Sequence, residues 1–174
     1  MKKIVIICGS IAGLIVSAVM VLTTSLYCNN PNGNMTEGMI YGFTAMIVAF
    51  SMAFIGIRNY RNKCNDGIIS FGKAFQIGML IVLIGSTMYV LAWEIDYHFF
   101  FPDFGDKYAV KMIEAAKAKG ETAAELAKTT VEANEFKVQY KNMLYRIFMT
   151  YVEILPLGIV ITLISALIVK KKKA

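Results

Sequence analysis

The chain has 174 residues, room for one domain, and is 57% hydrophobic with a mean hydropathy of +0.56, well above that of soluble proteins. Its formal charge is +6, but the basic residues flank apolar runs: Lys2 and Lys3, Arg58 to Lys73, and Lys170 to Lys173 hold ten of the eighteen Lys and Arg. That placement reads as an orientation signal for a membrane protein and excludes nucleic acid as a partner. No nucleophile–base set, metal cluster or cofactor fingerprint is present, so the expectation is a non-enzymatic chain without a cofactor.

The first apolar run covers residues 4–27 behind Lys2 and Lys3. It opens like a signal peptide but exceeds the usual apolar core of about 7–15 residues, so it reads as an uncleaved span. Gly9, Gly13 and Ser17 fall four apart on one face, where small residues let helix backbones approach closely. A short outer loop follows, with Asn29-Asn30-Pro31-Asn32-Gly33-Asn34 and no Lys or Arg. Asn34 with Glu37 predicts a helix cap; Asn34-Met35-Thr36 is formally a glycosylation sequon, too close to the membrane to serve. Of the three cysteines, Cys28 and Cys64 are expected on opposite faces and Cys8 at the far end of the first helix, so no structural disulfide is expected.

The second span is expected at 39–57, with Ala45, Ala49 and Ala53 repeating the small stripe. Arg58 to Gly67 then reads as a basic cytoplasmic loop, in which Arg58, Arg61 and Lys63 meet anionic headgroups for about 1 kcal/mol each. Asp66-Gly67 predicts a turn, Ser70 a helix cap, and Lys73 a side chain reaching back to the inner surface. The third span is expected at 71–93, with Gly78 and Gly85 on one face. Gln76 is a candidate for bonding across helices, and Tyr89, Trp93 and Tyr97 for an aromatic belt at the outer interface.

These residues carry a resemblance. Gly56-Ile57-Arg58-Asn59-Tyr60-Arg61, the block Gly67-Ile68-Ile69-Ser70-Phe71-Gly72-Lys73-Ala74-Phe75 and Gly78 resemble the bacterial domain of unknown function family 4199. So do Asp103-Phe104, Glu153 with Pro156 and Gly158, and Ile164-Ser165-Ala166-Leu167. The resemblance covers nearly the whole chain and implies a four-helix bacterial membrane protein, with no activity, substrate or site attached.

Residues 99–146 form an outer insertion, and from Glu94 to Arg146 the chain holds eight Lys and Arg against nine Asp and Glu. Glu94, Asp96, His98 and Asp103 cluster near the start; one His and no Cys make this a solvated helix end rather than a metal site. Asp106 to Lys119 favours helix, with Tyr108, Met112 and Ala115 or Ala116 on one side, and Gly120 breaks it. Thr122 and Glu125 form a capping box ahead of a second helix with an apolar stripe of Leu126, Thr129, Ala133, Phe136 and Tyr140. This second helix is expected to run into, or nearly into, the fourth span.

The fourth span, 147–169, carries the small stripe Gly158, Thr162 and Ala166, and contains Glu153 about 9 Å below its outer edge when counted from Ile147. A carboxylate there needs a partner, a proton or water. Arg146, Tyr27, Tyr41 and Tyr89 are the candidates, and Pro156 is placed to kink the helix just beyond. The favoured reading of Glu153 is a polar anchor; the alternative is a proton- or cation-coupling carboxylate of a small transporter or channel. Together these readings predict an all-α, multi-pass transmembrane bundle of four helices, with an extracytoplasmic helical hairpin between helices 3 and 4. The place is the bacterial inner membrane with both termini cytoplasmic. The expected role is structural or assembly, through the outer hairpin. Expected partners are anionic headgroups, a membrane or periplasmic protein, or a second copy. Glu153, Pro156, Arg58, Arg61, Lys73 and Asp103 are the candidate functional or structural polar residues.

Overall fold

The computed structural model describes residues 1–28 and 35–171. The loop expected at 29–34, the cap and sequon built on Asn34, Lys172, Lys173 and the side chains of Tyr27 and Cys28 lie outside the described residues. Six helices are present among the described residues: α1 Lys2–Cys28, α2 Met35–Cys64, α3 Phe71–Phe99, α4 Phe104–Ala118, α5 Ala123–Tyr140 and α6 Met143–Val169. No strand occurs among the described residues, only one antiparallel bridge between Ile69 and Lys171. Helices α1, α2, α3 and α6 are each long and apolar enough to cross a membrane, which marks the chain as a membrane protein.

The long helices pack in a ring: α1 lies on α2 and α3, α6 lies on the same two, and α2 meets α3 across the middle. Small residues set the contacts. The Cα of Gly9 faces Ile84 and that of Gly13 faces Met88, seating α1 on α3; Gly78 faces Thr162 and Gly158 faces Val82, seating α3 on α6. The four-residue stripes therefore work within the chain, where close approach and dispersion hold helices that gain little from hydrophobic burial in lipid. Phe50, fully buried, fills the centre beside Gly85 and Gly158.

The helices run past the apolar limits read from the sequence. Arg58 to Cys64 is not loop but the last two turns of α2, because a helix leaving hydrocarbon keeps its own hydrogen bonds in water. The break comes at Asp66 and Gly67, with φ of 48° and 78°. Ser70 then accepts from the Lys73 amide to open α3, as predicted. At this basic end the Arg61 guanidinium donates to the Val169 carbonyl at 3.0 Å, and Ile69 and Lys171 exchange both backbone bonds. The end of α6 is thus closed by Arg61 of α2 and by Ile69 of the α2–α3 connection.

At the opposite end α4 and α5 pack on each other. Gly120, with φ of 72°, stops α4, and Thr122 and Glu125 make the expected capping box. Ala133 and Tyr140 are buried and Phe136 half-buried along the predicted stripe of α5. Lys137 bonds Asp106 across the pair at 2.6 Å. Residues 141 and 142 separate α5 from α6, and Asn142 accepts from the Leu144 and Tyr145 amides to start α6.

Candidate functional site

Under α4 and α5 the ends of α3 and α6 are locked by one ion pair. The Arg146 guanidinium donates to both carboxylate oxygens of Glu94, at 2.9 and 2.6 Å, and to the Tyr140 carbonyl at 3.0 Å; it lies 3.8 Å over the Tyr97 ring. The two side chains are only 8% and 13% exposed. Arg146 is therefore not the partner of Glu153: its fork is directed at Glu94 and the foot of α5. The charge pattern held the signal, since Glu94 and Arg146 are the charged residues bordering the third and fourth apolar runs, with opposite sign.

The aromatic belt is also relocated. Trp93 is buried and donates its indole N–H to the Tyr140 hydroxyl at 2.9 Å. Phe104 meets Trp93 edge-on at 4.8 Å, and Phe136 meets Tyr140 at 4.8 Å. These rings are an internal cushion on which α4 and α5 rest, not a lipid-facing girdle. A polar tip on an apolar ring suits either place, so composition alone does not separate the two.

Beneath the cushion lies a cavity of about 440 Å³ with walls from all six helices. Val16, Met20, Thr23 and Thr24 line it from α1, Gly38, Gly42 and Met46 from α2, and Tyr89 and Trp93 from α3. Phe104, Lys107, Tyr108, Lys111, Phe136 and Tyr140 roof it, and Met149, Val152 and Glu153 close it from α6. Glu153 is exposed and lines this interhelical space. Burial pushes the Tyr108 phenol up, and the nearby Glu153 charge acts in the same direction. Burial does the same to Tyr140; the Trp93 hydrogen bond opposes it and the Glu153 charge adds to it. The middle of α6 falls at Pro156, three residues or about 4.5 Å past Glu153. Glu153 is thus closer to mid-helix than a count from Ile147 places it. Pro156 has no N–H, so the Val152 carbonyl on the cavity wall loses its helical donor.

The six residues singled out by sequence do not converge. Arg58 is exposed and Arg61 half-buried at the basic end, and Lys73 donates to Gln76 one turn on at 3.0 Å, so Gln76 is engaged within α3. Glu153 and Pro156 sit together in α6. Asp103 heads α4 without capping it and pairs with Lys107 at 3.0 Å. Of the acidic cluster, Glu94 holds Arg146, Asp96 is buried, His98 is exposed against Phe99, and no group of three or more metal-ligating side chains occurs among the described residues. Sequence reasoning missed Lys107 and Lys111 as site residues; their signal was their spacing of four, which puts both on one face of α4.

No curated protein and no solved structure matches the chain. The family model for a protein of unknown function, DUF4199, matches residues 7–171, nearly the whole length, and the chain belongs to that family.

Proposed function

We propose that this is a four-span protein of the bacterial inner membrane, with both termini in the cytoplasm and α4 and α5 on the outer side. It acts without catalysis, as a structural or assembly protein, through that outer pair. The observation carrying the role is a mounted but unpartnered face: Val131 and Val138, seven apart on α5, are 57% and 70% exposed. Their helix is anchored from behind by the Trp93–Tyr140 bond and the aromatic cushion. Charge supports the orientation, since Lys2, Lys3, Arg58, Arg61, Lys63 and Lys170 share one end of the bundle, suited to anionic headgroups. The occupant of the α5 face is a membrane or periplasmic protein or a second copy of this chain. Photo-crosslinking from position 131 in cells captures it, and Val131→Lys with Val138→Lys abolishes the adduct while the protein remains in the membrane. A reporter fused after Lys63 reads inside and one at Gly120 outside; the reverse result removes the orientation.

The cavity favours a second reading, a small transporter or channel using Glu153. Glu153 lines a half-open space near mid-helix, beside the carbonyl that Pro156 releases. Liposome flux lost in Glu153→Gln at unchanged expression supports this reading over the first.

A further inference from the structure

Among the described residues, seven aromatic rings and a single acid, Glu153, line the cavity under α4 and α5. Deeper in the bundle α2 and α6 touch, the Phe50 ring lying 3.3 Å from where a Cβ of Gly158 would stand. Two turns nearer the outer end of α2, a Cβ at Gly42 would meet nothing within 4 Å. The described lining residues that are exposed, Met39, Phe43, Val152 and Glu153, all belong to these two helices. The mouth is therefore a gap between α2 and α6, on the flank of two helices long and apolar enough to cross a membrane. The volume of about 440 Å³ falls in the range of small-molecule sites, which pair an apolar body with a few placed polar groups.

We infer that this cavity takes from the bilayer a singly charged organic cation with an apolar body, its charge beside Glu153 and its body against the rings. Charge complementarity at Glu153 selects this class. Glu153 makes no hydrogen bond or ion pair among the described residues; its charge is felt at the phenols of Tyr89, Tyr108 and Tyr140. A carboxylate in a largely apolar wall is costly to desolvate unless a cationic donor meets it. Aromatic faces attract the same charge, and Tyr and Trp do so beside the acid here. The lysines of the roof do not set the ligand's charge: Lys107 is paired with Asp103 at 3.0 Å, and Lys111 is engaged as well. A bare divalent metal ion asks for several oxygen ligands, and no group of three metal-ligating side chains occurs among the described residues. The inference rests on the second reading above, the cavity with Glu153, and names the class of molecule held there; it stands apart from any partner on α5.

Trp93 is the chain's one tryptophan and lines the site, so its fluorescence reports binding directly. The full chain in uncharged maltoside micelles is titrated with octylammonium, octanol and octanoate, three probes of one chain length and charges of plus one, zero and minus one. The expected result is a saturable change with octylammonium at a Kd about tenfold below that of octanol, the worth of one charged hydrogen-bonded contact, with octanoate weakest. Glu153→Gln brings octylammonium down to the level of octanol and leaves octanol unchanged, whereas Glu153→Asp, which keeps the charge, keeps the preference. A misfolded variant loses all three probes instead, and the wild-type ranking needs no variant. Octanol or octanoate binding as tightly as octylammonium, or an octylammonium preference that survives in Glu153→Gln, overturns the inference. Liposome flux separates it from the transport reading: octylammonium bound but not moved removes transport alone, and a Glu153-dependent flux of another ion without octylammonium binding removes this inference alone.

Discussion

The Glu94–Arg146 pair ties the end of α3 to the start of α6, and its removal tests whether the far end of the bundle depends on it. Arg146→Met deletes two bonds to Glu94, the bond to the Tyr140 carbonyl and the contact over Tyr97, while leaving a carboxylate only 13% exposed. Breaking a buried pair from one side costs about 3–5 kcal/mol, mostly as the stranded charge. Removing both charges, as Glu94→Leu with Arg146→Met, leaves no stranded ion, and the double variant is expected within about 1–2 kcal/mol of the parent. The measurement is unfolding in mixed SDS–maltoside micelles followed by circular dichroism, across the full double-mutant cycle. A loss below about 1 kcal/mol in Arg146→Met, or a double variant no more stable than that single one, refutes the reasoning.

A methyl at Gly158 would collide with the Val82 side chain deep in the bundle, so Gly158→Ala is expected to cost about 1–3 kcal/mol in the same assay, whereas Gly42→Ala costs nothing measurable. Tyr140→Phe takes the acceptor from a buried indole N–H; the expected loss is about 1–3 kcal/mol, with a shift in Trp93 emission. The hydrogen bond from Lys137, with the charges of Lys137 and Lys141, holds the Asp106 carboxyl below its ordinary value against a smaller effect of burial. Its contribution to α4–α5 pairing is therefore complete above that ordinary value and disappears as pH falls through the lowered one. Carboxyl titration by NMR should show Asp106 moving up toward the ordinary value in Lys137→Met.

What was legible in the sequence is what depends on one helix at a time. Apolar runs bounded by lysines located the long helices, and Thr122 with Glu125, Ser70 and Gly120 located caps and stops, because each is a local matter of backbone donors and allowed φ. Where helices end was less legible. An apolar run stops at the edge of hydrocarbon, but the α2 backbone goes on bonding to itself through Arg58 and Arg61 until Asp66 and Gly67 turn it. Who meets whom was the least legible. Arg146 lies two turns from Glu153 in sequence, yet its fork reaches Glu94, 52 residues away. Glycine shows why. The same residue type is a point of contact at Gly9, where a Cβ would lie 2.7 Å from Ile84, and open space at Gly42, where it meets nothing within 4 Å. A stripe of small residues records that something need not be there; only the position of the neighbouring helix decides whether the space is closed by a side chain or kept as the wall of a cavity.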